Sequence, residues 1–386
     1  MNPFARLIYH EKTRPITIQC VCLVAFLVVT ATLVYNAGVN LKEQGVASGF
    51  GFLFERSGFS INQMPISYTE DSSYFRAFLV GLLNSIIVSF LGIIIATVLG
   101  FFIAICRLSS NFLLSKLAMI YVEILRNLPL LLQIFFWYFV ILAALPSVRE
   151  SYELFDTFYL NNRGINIPRL VSEPASGLVL LSVVLMILGL FGYHKYINYH
   201  HMQTGKRLAI WPAYLVSGLL FLCILWLRDF PYSFEVPKLG GFNFEGGLVL
   251  YPEFLALLFS LSLYTAAFIA EIVRAGILAV PKGQVEAAKS LGLSHGVTLT
   301  KVVIPQAMRV IVPPLTSQYL NLTKNSSLAA AIGYPELVSV FAGTVLNQTG
   351  QAVEVIALVM SVYLTLSLSL SAIMNLYNKK IQLTER

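Results

Sequence analysis

Charge is scarce in this sequence: Lys, Arg, Asp and Glu make up 12% of its 386 residues, against 57% hydrophobic ones. With a mean hydropathy of +0.76, so little polar surface cannot cover a water-soluble globule, which leaves an integral membrane protein. Cysteine is rare too. Cys20, Cys22, Cys106 and Cys223 lie in or beside apolar runs with neither metal-type spacing nor a framework of pairs, so they read as small buried hydrophobes. No G-x-x-x-x-G-K-[ST] phosphate loop is present, since Gly205-Lys206 is followed by Arg207, and any ATP that drives this protein has to be bound by another chain. His, Asp and Glu form no cluster of the kind an embedded enzyme needs, so no catalytic residue and no metal ligand is assigned. His194, His200 and His201 have no Cys or carboxylate beside them and sit among Lys195, Lys206 and Arg207, as a basic interfacial loop does. Internal repeats and low-complexity tracts are also lacking. The net charge of +7 comes from basic residues dispersed over short loops, which argues against nucleic acid as a partner.

Long apolar runs are what the sequence does have. Eight runs near the 20-residue length of a membrane span are expected, at about 16–35, 77–105, 128–145, 177–193, 208–228, 253–278, 308–324 and 353–377. The first follows Arg6, Lys12 and Arg14, is too long for a signal-peptide core and is expected to stay as an anchor. Most basic residues then fall on one side, on the shorter loops, which is the cytoplasmic side and holds both termini. The opposite loops, at about 36–76, 146–176 and 229–252, are longer and carry Glu70, Asp71, Glu150, Glu153 and Asp156. Residues 1–76 are expected to form an N-terminal helix and an outer segment whose stretch from Gly45 to Phe59 needs no regular structure. Residues 77–378 form the main all-α domain, interrupted at about 146–250 by an inserted loop and helical hairpin, and 379–386 a cytoplasmic tail.

The longest helix-forming segment between spans runs from Val280 to Pro314. Good helix formers from Gln284 to Leu291 predict a short helix that Gly292 ends, because glycine takes a left-handed cap cheaply. A second helix is expected from Ser294 to a stop at Ile304-Pro305, with Val285, Ala288, Leu291, Leu293 and Val302 on one apolar face and Lys289 and Lys301 in water. A helix, glycine turn and helix on the cytoplasmic side is something a partner can grip.

Three further segments carry polar groups that a membrane tolerates only for a reason. Glu123 and Arg126, then Pro129 and Gln133, open the third span, and the two charges share a helix face three residues apart. Glu271 and Arg274 repeat that spacing at the end of the sixth, among Ala267, Ala270 and Ala275, and are read as a structural pair. In the seventh span Pro313-Pro314 is expected to break the start, while Gln318, Asn321 and Asn325 recur on one face and Lys324, Ser326 and Ser327 interrupt the apolar run. Such convergent amides suit a polar route for a zwitterion.

The spacing Glu286-Ala287-Ala288, three residues, Gly292, nine residues, Val302, one residue, Ile304-Pro305 resembles the "EAA" loop of bacterial ATP-binding-cassette (ABC) importer permeases. The stretch from Glu123 to Gln133 resembles the E-x-x-R-x-x-P-x-L-x-Q segment of the polar amino-acid branch, which includes histidine and glutamine importers. Leu322-Thr323-Lys324-Asn325-Ser326-Ser327-Leu328-Ala329, with Ile332-Gly333-Tyr334-Pro335 after it, looks like the general L-amino-acid permeases of Gram-negative bacteria. The resemblance covers roughly 77–145 and 250–380. It implies a type I importer transmembrane domain of five helices plus the added N-terminal helix and hairpin. It also implies a coupling helix in which Glu286, Ala287, Ala288, Gly292 and Pro305 meet an ATPase, and a substrate path along Gln318, Asn321, Lys324, Asn325 and Ser326. The implied partners are a second, related permease, two ATPase subunits that hold the ATP and Mg, a periplasmic amino-acid-binding protein, membrane lipid and the amino acid itself, at the bacterial inner membrane. Asn325 stands where importers of cationic amino acids often have an acidic residue, so a broad, neutral or acidic substrate range is expected. An ion-gradient-driven secondary transporter remains the alternative.

Overall fold

The computed structural model describes residues 14–43, 49–142, 144–172, 176–205, 208–227 and 232–381. Arg6, Lys12, Lys206, Arg207 and the tail beyond Ile381 lie outside them.

The helices in chain order are α1 (Arg14–Glu43), α2 (Tyr74–Arg107), α3 (Phe112–Asn127), α4 (Leu130–Phe135), α5 (Ser176–Thr204), α6 (Trp211–Leu227), α7 (Pro252–Leu278), α8 (Lys282–Ser290), α9 (His295–Thr298), α10 (Ile304–Asn325), α11 (Leu346–Thr349) and α12 (Ala352–Ile381). The chain divides into two compact units, one of residues 1–137 and 256–386 and the other of 138–255.

Among the described residues, four helices are long and apolar enough to cross a membrane: α1 over Arg14–Asn40, α2, α7 and α12. A fifth is present if α3 and the run Leu130–Val140 count as one span bent by 107°. Of the eight runs expected, five fall on these helices, and the 177–193 run forms most of α5, whose first turns include residues outside the described side chains. The 308–324 run lies inside α10, a helix whose amides and Lys324 make it too polar to count as lipid-facing, and the 208–228 run reduces to a shorter apolar helix, Trp211–Ile224. Residues 112–127, expected in a cytoplasmic loop, form α3, with Phe112, Leu113, Leu117, Ile120 and Ile124 exposed along it. The corner after α3 is set by Pro129, and the Gln133 side chain closes it by donating from Nε2 to the carbonyls of Leu125 (3.0 Å) and Leu128 (3.1 Å).

The larger unit is held by small residues. Along α2, Ala77, Gly81, Ser85, Val88, Gly92, Ala96, Gly100 and Ala104 are all buried at steps of three or four, a stripe that lets other backbones approach closely. Gly276 on α7 does the same against α10: a Cβ there would run into Ile311 Cγ1, with the Ala307 carbonyl also close. Gly276→Val is therefore expected to destabilise the unit by about 1–3 kcal/mol through overpacking. A melting temperature in detergent equal to that of the wild type would contradict this.

The outer stretch that was expected to be irregular is partly ordered. Phe50–Phe54 makes a 3-10 turn, and Phe52, Ile61 and Tyr68 bury against Tyr74, Ala77 and Val80 of α2, against Val355 and Val359 of α12, and against Leu337, Val340 and Phe341. The buried Tyr68 hydroxyl donates to Phe59 O (2.9 Å) and lies 2.7 Å from Ser57 Oγ.

The smaller unit holds strands that were not expected. They are β1 (Tyr152–Leu154), β2 (Phe158–Asn161), β3 (Gly164–Ile167), β4 (Arg169–Ser172), β5 (Tyr232–Glu235), β6 (Lys238–Leu239), β7 (Phe244–Glu245) and β8 (Leu248–Leu250). β1-β2-β3-β8 form an antiparallel sheet, while β4 pairs with β5 and β6 with β7. The β2–β3 turn is sealed by Asn161 Oδ1, which accepts from the Arg163 N–H (2.9 Å) as short polar side chains do at turns. Because β4 pairs with β5, from Arg169↔Glu235 to Ser172↔Tyr232, the strands before and after the α5–α6 hairpin are joined. The hairpin is thus inserted between two paired strands.

Candidate functional site

The Glu-Ala-Ala segment is α8 and the turn after it. Pro281 precedes the helix, and at the far end Gly292 takes φ +76°, which a residue with a Cβ adopts only under strain. Its N–H donates to Lys289 O (2.9 Å) and the Leu293 N–H to Ala288 O (3.1 Å), the doubled bonding of a Schellman stop. Ala288 is buried, whereas Glu286 and Ala287 face outward. Two expectations need correcting here. Leu291 and Leu293 are exposed and do not join an apolar inner face, Leu291 at 79%. Nor does the second helix stop at Pro305. From α9 the chain passes through a π-helical turn, Leu299–Val303, into α10, with Pro305 in its first turn. Near a helix start the missing N–H of proline costs little, and the wide turn ahead supplies the slack.

Near the joint between α7 and this corner, Glu271 accepts from Arg274 Nη2 (2.6 Å) and Nε (3.2 Å), the pair expected from spacing, and also from Arg107 at the end of α2, which spacing alone could not reveal. Glu123 and Arg126 do not pair. The Arg126 guanidinium instead lies over the Phe268 ring, 5.2 Å from its centroid. An aromatic face competes well with a solvated carboxylate for a guanidinium.

The amides of α10 converge as their spacing implies. Gln318, Asn321 and Asn325 line one cavity of about 280 Å³ together with Tyr264, Thr265 and Phe268 of α7. The α7 residues were not foreseen, because Tyr264 and Phe268 look like ordinary core aromatics one turn apart. Lys324 is exposed and not part of the lining, and Ser326 is fully buried, donating to Thr323 O (2.7 Å). The interruption expected after Lys324 is a tightening of α10 into a 3-10 turn, Ser326–Ile332.

Beyond that turn lies a buried carboxylate that no local spacing or motif singles out. Glu336 is fully buried and accepts from the N–H groups of Val338 (2.8 Å) and Ser339 (2.7 Å) and from the Tyr363 hydroxyl (2.9 Å). Two polar residues of α2 reach the same knot. Asn84 Nδ2 donates to Pro335 O (2.9 Å), and Ser85 Oγ accepts from the Leu337 N–H (3.1 Å).

Residues 96–383 match the family described as binding-protein-dependent transport system inner membrane component. YhdX of Escherichia coli, whose name assigns it provisionally to the amino-acid ABC transporter permeases, is 53% identical over 372 residues, covering 95% of this chain and 94% of that one. The general L-amino acid transport system permease protein AapQ of Rhizobium johnstonii is 46% identical over 384 residues, covering 99% and 96%. The glutamate/glutamine/aspartate/asparagine transport system permease protein BztB of Rhodobacter capsulatus is 41% identical over 412 residues, covering 98% and 96%. A match over most of the length, in an apolar helical chain with a protruding Glu-Ala-Ala corner, identifies this protein as a member of the binding-protein-dependent ABC transport permeases of the membrane.

Proposed function

We propose that this chain is one half of the membrane pathway of an ATP-driven importer of L-amino acids, neutral and acidic ones included. The observation that carries the reading is the outward Glu286-Ala287 surface on a helix ended by the Gly292 stop, an element that receives force from outside the chain. Two ATPase subunits, which hold ATP and Mg, press on that corner, and a periplasmic binding protein delivers the amino acid on the opposite face. A second, related permease completes a two-fold pathway that one copy cannot close. Both termini and the corner lie on the cytoplasmic side of the bacterial inner membrane, and the main domain spans 77–378 with its insertion at 146–250. The route passes the amides of Gln318, Asn321 and Asn325, with Lys324 and Ser326 supporting their helix. A lining without a carboxylate gives no attraction to a cationic side chain. The names of AapQ and BztB, which specify general L-amino acids and the acidic amino acids with their amides, support the same range. Family membership gives no support to an ion-gradient-driven carrier.

The test is reconstitution of the chain with its partners in proteoliposomes. Uptake of glutamate and glutamine is expected to require ATP and the binding protein and to persist when ion gradients are collapsed. Asn321→Leu is expected to lower uptake about tenfold, the loss of one hydrogen-bonding group facing the substrate. Uptake that continues without the ATPase would end the reading.

A further inference from the structure

The corner between α3 and α4 is not explained by transport as described so far. Gln133 is buried, and both of its bonds hold carbonyls on either side of Arg126, those of Leu125 and Leu128. The corner therefore fixes the last turn of α3 and the direction in which Arg126 leaves it. That direction leads to the Phe268 ring, which also forms part of the cavity wall. Arg126 forms no ion pair among the described residues. Glu271, the carboxylate at the end of α7, is already taken by Arg107 and Arg274. The Arg126 side chain is exposed beside the ring, so its charge is open to an anion that arrives. A guanidinium is also the side chain best shaped to receive a carboxylate.

We propose that Arg126 receives a carboxylate of the amino acid in transit, aimed by the Pro129–Gln133 corner and steadied on Phe268, while the amides of α10 take the rest of the ligand. This rests on the cavity being part of the route. The carboxylate has two possible sources, the α-carboxylate common to every amino acid and the side chain of an acidic one.

The experiment measures binding of glutamate, glutamine and glutaminol, in which hydroxymethyl replaces the α-carboxylate, to the purified permease–ATPase complex without binding protein. If the α-carboxylate is the ligand, Arg126→Gln weakens glutamate and glutamine about tenfold to a hundredfold. Glutaminol then binds the wild type as weakly as glutamine binds the variant and loses nothing more on substitution. If the side-chain carboxylate is the ligand, only glutamate weakens. Arg126→Lys, which keeps the charge but not the fork, restores part of the loss in either case. Equal losses for all three probes mean that Arg126 merely complements the end of α3, and no loss for any means that it is idle; either result overturns the proposal. Asn321→Leu separates this from failure of the cavity reading. If it leaves all three probes unchanged, the cavity is not on the route; if it weakens them while Arg126→Gln does not, only the carboxylate assignment falls.

Discussion

Combining Glu286→Ala with Gly292→Val is expected to reduce ATP-driven uptake, and the stimulation of ATPase activity by loaded binding protein, to background, while the complex still elutes intact. Gly292 sits at φ +76°, a conformation that costs a residue with a Cβ about 1–2 kcal/mol. The larger consequence is geometric. Once the backbone leaves the left-handed region, the bonds from Gly292 to Lys289 O and from Leu293 to Ala288 O break together, and α8 no longer meets α9 at a set angle. Neither change removes a buried contact, since Cβ space at Gly292 is open and Glu286 faces outward. Folding should survive while force transmission fails. The single change Glu286→Ala separates contact from hinge, because it leaves the turn intact and removes only the surface. Normal coupled uptake by the double variant would overturn the coupling role of this corner.

Glu336→Leu is expected to cost about 3 kcal/mol or more, measured as loss of thermal resistance of the complex in detergent. Two backbone N–H groups and the Tyr363 hydroxyl lose their acceptor at a fully buried site, where no water replaces it. Glu336→Gln should fall between, because one amide oxygen remains while the NH2 group meets donors. Tyr363→Phe removes one donor only and should cost about 1 kcal/mol. Equal stability of the leucine variant would show that the knot does not support the helices it joins.

These two sites differ in how they could be read beforehand. The corner after α8 was legible because its signals are local: good helix formers, a glycine at the stop and an exposed charge, all within one short segment. The amide face of α10 was legible for the same reason, as residues three and four apart share a face whatever surrounds them. Glu336 was not, since Pro335-Glu336-Leu337 reads as a surface turn until Tyr363 and α2 are brought against it. Spacing placed Glu123 beside Arg126 but could not weigh the ring of Phe268, more than a hundred residues away, as a competitor. Hydropathy marked the 308–324 run as a span because it reads apolar residues alone, whereas α10 carries its amides toward a cavity shared with α7. The strands of the smaller unit escaped because runs of two to four residues carry too little alternation to stand out.

The bonds from Asn84 and Ser85 to Pro335 and Leu337 join residues about 250 positions apart. At ribosomal speeds of roughly 5–20 residues per second, α2 waits about 10–50 s in the bilayer before the acceptor and donor it needs are synthesised. During that interval the Asn84 amide has only the Gln63 carbonyl (2.9 Å) and the Ser85 hydroxyl only the Gly81 carbonyl (3.0 Å), both made earlier in the chain, and the bonds that lock α2 to the 335–337 segment are missing. Biogenesis is thus slowest to finish at its earliest core helix, and a chain truncated before residue 335 should be recognised by membrane quality control and degraded, even though nearly all of its spans have already been inserted.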